Sequence, residues 1–301
     1  MTLLIGVDAG ASHSTAFVSG PSLDVVARAS GAAGAVAPGT VAEASAAIVA
    51  TMRTALAAAR ADRAGALVVG AAGAGREPER TELERALAQA GVADRVRVTT
   101  DIEIALVAAL GDGPGILLLA GTGSGACARL PGGEIRRTGG HGWQFGDEGS
   151  GYALARSALA AMARASDGRG PATAFTAAAA TAAGVDANAQ AVLAWARTAP
   201  RAAVADLARV VQETAAGGDA VARELVEQTA TDLVAHVRAL VPLFAGPAAV
   251  PVAIAGGLVR GRQPVRRAVL RLLADAGPRV CVNEAVVEPP RGALLLASRL
   301  A

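Results

Sequence analysis

One short pattern occurs twice in this chain and restricts what it can become: an apolar strand, a turn of very small residues, and a second strand opening with hydroxyls or small residues. The first copy is LLIGVDAGASHSTAFVSG at residues 3–20 and the second is GILLLAGTGSGACARL at residues 115–130. Small residues at such a tip let backbone N–H groups approach an anion closely, while neighbouring hydroxyls add donors. One copy alone reads adequately as a plain hairpin. Two copies, each opening an α/β half, point to a pair of related domains whose hairpins grip a polyphosphate.

The periodicity around each copy supports this division. Residues 3–7, 14–19 and 24–29 predict three short strands in an antiparallel meander, broken by the small turn and by Gly20-Pro21. Helical spacing follows over 40–60, a buried strand over 66–73, a helix over 79–90 closed by Gly91, and a strand over 96–101 leading into the helix IEIALVAAL. After Gly111, Gly113 and Pro114 the order restarts, with strands over 115–130 and 133–139, the Gly-rich stretch 139–151 and a helix over 152–165. Residues 171–245 are helical in pattern. A strand running into Gly256-Gly257, a helix from 263, a strand over 279–283 and a helix after Pro290 complete an α/β chain whose second half is enlarged by helices.

With 28 basic and 26 acidic residues the net charge is +2, which offers nothing to a nucleic-acid backbone or an anionic membrane. Every basic residue is arginine, so a Walker lysine loop and a Schiff-base lysine are both excluded. Cys127 and Cys281 have no Cys or His at ligand spacing and are expected to be buried apolar residues. No leader pattern opens the chain and no window is expected to span a bilayer, which predicts a soluble cytoplasmic protein.

Among the carboxylates, Asp8 ends an apolar strand, where it must meet a cation or donors. It is read as a turn cap or as a Mg²⁺ ligand beside phosphates, the second being favoured by the paired turns. Asp101 ends another strand and is either the N-cap of the next helix or a general base acting on a hydroxyl that attacks a phosphoryl group. Asp147 and Glu148, in GDEGS, either favour a helix N-terminus or belong to a polyol site. Gly256-Gly257 is a strand-to-helix turn or a close approach to a nucleotide. Trp143 offers an aromatic plane to a sugar face, whereas Trp195 and Phe244 are expected in the core and His236 in helix packing or at the surface.

Taken in order, IGVDAGASHST, VTTDIEIAL, LAGTGSGA, GGHGWQFGDEGSGYALAR, AIAGGLV and EPPRGALLLA resemble the BadF/BadG/BcrA/BcrD ATPase family, within the actin, Hsp70 and sugar-kinase superfamily, and most of all its N-acetylglucosamine kinases. The resemblance implies two ribonuclease-H-like lobes of the actin-like ATPase fold, over 1–114 and 115–288, with 289–301 returning to the first. ATP and Mg²⁺ are implied in an interlobe cleft, closing on a sugar whose 6-hydroxyl is phosphorylated, in a homodimer. Carried over by motif, Gly10, Ala11, Ser12, His13, Ser14 and Thr15, with Gly121, Thr122, Gly123 and Ser124, would hold phosphates. Asp8 would lie at the metal, Asp101 would be the catalytic base, Asp147 a sugar-hydroxyl ligand, and Gly256 and Gly257 the adenosine contacts.

The chain departs from the pattern on the sugar side. Gly34 stands at or near the place where N-acetylglucosamine kinases tend to have Asn, Gly125 stands where some members have Asn, and His141, after Gly140, stands where Trp is frequent, with Trp143 two residues on. The implied acceptor is therefore N-acetylglucosamine first, then glucosamine, N-acetylmuramate or another hexose derivative. Two other roles stay open: an ATPase that activates a partner enzyme, whose family members bridge an iron-sulfur cluster with closely placed cysteines, and a nucleotide-binding regulator.

Overall fold

The computed structural model describes residues 2–275, 279–283 and 285–301, and the chain divides into two compact units, residues 1–113 with 285–301 and residues 114–284. Each unit is built on a five-stranded sheet of the same order, so the repeat seen in the sequence is a repeat of topology.

In the first unit β1 (Leu4–Ala9), β2 (Ser14–Ser19) and β3 (Val25–Gly31) form the antiparallel meander, and β4 (Ala64–Ala71) and β5 (Ala93–Thr100) add in parallel beside β1. Strand alternation splits the side chains of β1 between two faces. Ile5, Val7 and Ala9 pack with α1 (Val41–Ala58) and α2 (Glu77–Gln89). Leu4 packs in a second cluster with Ile104 and Val107 of α3 (Asp101–Leu110) and Leu294 of the C-terminal helix (Pro289–Ser298). Asp8 belongs to the Leu4 face, and α3 starts there.

The second unit repeats the meander with β6 (Gly115–Ala120), β7 (Ser124–Arg129) and β8 (Ile135–Gly139), and adds β9 (Val250–Ala255) and β10 (Val280–Asn283) in parallel. Between β8 and β9 come α4 (Gly151–Ser166), α5 (Phe175–Ala183), α6 (Ala189–Thr198), α7 (Arg201–Ala216) and α8 (Ala220–Leu240), and α9 (Pro264–Ala274) joins β9 to β10. These helices and the sheet share one large apolar cluster; Phe244 is buried in it and Trp195 packs against it half-buried.

Three expectations are corrected. The strand expected over 96–101 stops at Thr100, and Asp101 is the first residue of α3. Cys127 is buried, but Cys281 is exposed on β10, a strand at the sheet margin. Helix α1 is long and apolar enough by composition to cross a membrane; Ile48, Met52 and Ala55, all buried on it, account for that composition as core packing.

Candidate active site

In the first unit, register places Asp8 beside Thr15 on β2 and Gly70 on β4, and Gly70 in turn beside Thr99 on β5. This row runs across the C-terminal end of the parallel strands and ends on Thr99, two residues before Asp101. The N-cap of α3 is Thr100, whose Oγ1 accepts a hydrogen bond from the Glu103 N–H at 3.1 Å. The capping role open to Asp101 is thus filled by its neighbour. The Asp101 carboxylate accepts from the Ile102 N–H at 3.0 Å. Glu103 is tied to Arg97 at 2.8 Å and takes a hydrogen bond from Thr99 Oγ1, which fixes the strand-to-helix junction beneath Asp101.

Asp8 and Asp101 are close enough to repel. Burial first, and the Asp101 charge second, push the Asp8 carboxyl up from 3.8 to about 6, against a smaller lowering by His13. Two carboxylates brought together in a partly desolvated place are costly unless a cation or a shared proton relieves them, a common property of functional sites.

The adjoining turn is closed by the Gly10 N–H donating to the His13 carbonyl at 3.0 Å, while the Gly10 carbonyl accepts from the N–H groups of Gly34 and Ala35 at 3.1 and 3.2 Å. Ala11, Ser12 and His13 are exposed at its tip, and Thr15 is half-buried. Ser14 departs from the expected arrangement. It is fully buried opposite Ala9 on the other face of the sheet, and its Oγ has no hydrogen-bond partner. Strand alternation carries it away from Asp8. Gly34 packs on it, since a Cβ at that position would lie 2.6 Å from Ser14 Oγ and 2.8 Å from Ile48. An Asn at 34 has no room on this backbone.

In the second unit the turn of residues 121–123 is gripped by the segment 147–152. The Ser124 N–H donates to Asp147 Oδ1 at 3.4 Å and Ser124 Oγ to the Glu148 carbonyl at 2.6 Å. The Gly151 N–H donates to the Gly121 carbonyl at 2.8 Å and the Tyr152 N–H to that of Thr122 at 3.4 Å. Ser124, expected to contact phosphate, has therefore given both of its donors to the protein. Thr122 is exposed. Asp147 is itself buried, at 8% exposure and a φ of 58°. Sequence reasoning connected it to a sugar and missed its contact with the turn, because 23 positions separate Ser124 from Asp147.

The rest of the Gly-rich loop is open. His141 and Gly140 are exposed, and Trp143 stands edge-on to Tyr152 with ring centroids 5.6 Å apart. Phe145, which sequence reasoning did not single out, is 84% exposed. The available signal was a second large apolar residue, beside Trp143, in a loop otherwise glycine and polar. His236 packs its ring under Gly139. Gly125 faces the backbone of β8, where a Cβ would lie 2.9 Å from the Thr138 carbonyl, so the absent Asn has a packing reason here as well. Gly256 adopts a φ of 115° with its Cα against the Ala120 carbonyl, where a Cβ would fall at 2.1 Å. Gly257 is exposed with open space around it.

Residues 5–297 match the BadF/BadG/BcrA/BcrD ATPase family, nearly the whole chain. The chain belongs to that family. A curated relative in Clostridium acetobutylicum, an N-acetylmuramic acid/N-acetylglucosamine kinase, is 29% identical over 180 residues, a stretch covering 60% of this chain and 59% of that relative. The matched stretch therefore spans less than two thirds of that kinase. Among solved structures, a candidate N-acetylglucosamine kinase from Chromobacterium violaceum superposes with a TM-score of 0.82 at 31% identity, covering 99% of both chains. A ROK family glucokinase from Streptomyces griseus, solved with glucose and AMPPNP, shares the fold at a TM-score of 0.63 and 20% identity over 99% of both chains. Each unit of this family member is thus the ribonuclease-H-like α/β module of the actin-like ATPases.

Proposed function

We propose that this family member is an ATP-dependent sugar kinase that phosphorylates the 6-hydroxyl of an amino sugar, N-acetylglucosamine ahead of glucosamine or N-acetylmuramate. The observation carrying this reading is the carboxylate pair, with Asp8 and Asp101 at one end of the first sheet beside an exposed small-residue turn. Phosphoryl transfer needs positioning, compensation of phosphate charge, and a group to take the acceptor's proton. Asp101 suits the last role, since Thr100 caps its helix. It accepts the hydroxyl proton as the acceptor oxygen bonds to the γ-phosphorus and the bond from that phosphorus to the bridging oxygen breaks, releasing ADP.

Asp8 suits magnesium. A carboxylate pushed up by burial and by a like charge is one that a hard divalent cation relieves. No group of three or more His, Cys, Asp and Glu residues placed to hold a metal ion by themselves occurs among the described residues, so phosphate oxygens and water would complete the coordination. Bound there, magnesium supplies neutralisation of phosphate charge. Phosphate donors come from the tip of the first turn and from Thr122 and Gly123 of the second, and Gly257 offers uncrowded backbone to the nucleoside. Trp143, held by Tyr152, with His141 and Gly140, forms the sugar-facing surface of the second unit. A cytoplasmic homodimer belongs to the same reading. The activator role fits less well, because Cys127 is buried within its sheet.

The test is a coupled ADP-release screen with magnesium over N-acetylglucosamine, glucosamine, N-acetylmuramate and glucose. Sugar-dependent ADP release well above the sugar-free rate, largest on an N-acetylated sugar, is expected. ADP release indifferent to every sugar would remove the kinase reading, and turnover of glucose alone would remove the amino sugar.

A further inference from the structure

The backbone donors of the 121–124 turn are not all free, and one of those already taken, the Ser124 N–H, is held by an acid. The Gly121 N–H closes the turn on the Gly123 carbonyl at 2.9 Å, and the Ser124 N–H is taken by Asp147 at 3.4 Å. Among the described residues, the N–H groups of Thr122 and Gly123 and the Thr122 hydroxyl have no partner. The Asp147 carboxylate also backs Gly123, within 3.0 to 3.2 Å of where a Cβ would stand. A turn this poor in side chains loses much backbone freedom when it orders around a ligand, and fixing it beforehand lowers that cost.

We propose that Asp147 is a positioning residue for the nucleotide: its carboxylate holds the Ser124 N–H and backs Gly123, presenting the Thr122 and Gly123 N–H groups to a phosphate. This rests on reading the 121–124 turn as a phosphate binder. The role belongs to the acceptor oxygen and not to the charge, because a carboxylate beside a phosphate site repels the ligand it helps to seat. The left-handed backbone at Asp147, with φ of 58°, allows two clean variants, since Asn and Gly both tolerate that conformation. Asp147→Asn keeps the accepting oxygen without the charge, and Asp147→Gly removes the acceptor without adding strain.

Isothermal titration with magnesium-AMPPNP, and with adenosine as the phosphate-free control, tests the assignment. Asp147→Asn is expected to bind AMPPNP as tightly as the unaltered protein or tighter. Asp147→Gly is expected to bind it about fivefold to tenfold more weakly, the effect of orphaning one buried N–H, with adenosine affinity unchanged. Wild-type AMPPNP affinity in both variants would overturn the proposal and leave Asp147 to the acceptor. An equal loss in both would assign the effect to charge, and a parallel loss of adenosine would assign it to folding; either overturns it too. If the unaltered protein binds AMPPNP no better than adenosine, the phosphate reading of the turn falls first, which the variants alone would not show.

Discussion

The two hairpins match residue for residue at their bases and diverge in how their charges and hydroxyls are handled. Ala9 faces Ser14 in the first and Ala120 faces Ser124 in the second; one step back, Asp8 faces Thr15 where Leu119 faces Gly125. The first hairpin thus carries its own carboxylate on the strand, next to Asp101. The second has an apolar residue there and borrows a carboxylate, Asp147, from a distant loop. The paired serines differ too: Ser124 Oγ is satisfied by the Glu148 carbonyl, whereas Ser14 Oγ is buried without a partner. On the reading proposed above, one topology is divided between two tasks, with metal and proton chemistry assigned to one copy and an anion-binding turn held by Asp147 to the other.

The largest expected effect separates the copies by chemistry. Asp101→Asn should lower sugar phosphorylation by about 10²- to 10⁴-fold while AMPPNP affinity stays near that of the unaltered protein. Retention of more than about a tenth of the rate in steady-state assays would place the base elsewhere and dissolve the contrast.

The next effect concerns Asp8 and pH. Because its folded value is raised to about 6, the folded chain holds this proton more tightly than the unfolded chain does. Stability is therefore lost as pH rises from about 4 to about 6, and the penalty persists above that. Asp8→Asn should relieve on the order of 1–2 kcal/mol at pH 7 and little at pH 4. Denaturant melts of the chelator-treated protein at both pH values check this, and an equal gain at both would show that the carboxylate is not under that strain.

The smallest effect is a difference of sign between equivalent positions. Ser14→Ala removes a buried hydroxyl with no partner and should be neutral or slightly stabilising, whereas Ser124→Ala should cost about 1 kcal/mol. Equal costs in chemical denaturation would mean that the two serines do the same job.

Much of the fold was legible because its signals are local. Strand alternation, the breakers at 111–115 and helical spacing from 171 onward mark most of the elements, and the small-residue turns show where anion donors can gather. The site was legible in part. Asp8 and Asp101 stand out as polar endings to apolar strands, yet whether Asp101 caps its helix depended on a one-residue choice that the Thr100 side chain decides. Gly34 and Gly125 read as lost sugar contacts; packing shows that each has a neighbour where its side chain would be.

What the sequence determined by itself is the duplication, the absence of a lysine chemistry and the candidate carboxylates, because these follow from residue type and short-range spacing. Which of two paired serines is satisfied, which face Ser14 turns to, and that Asp147 holds the turn at 121–123 were decided by tertiary structure. Those outcomes depend on strand pairing and on contacts across 23 or more positions, where the register of a sheet and not the identity of a neighbour sets what each polar atom meets.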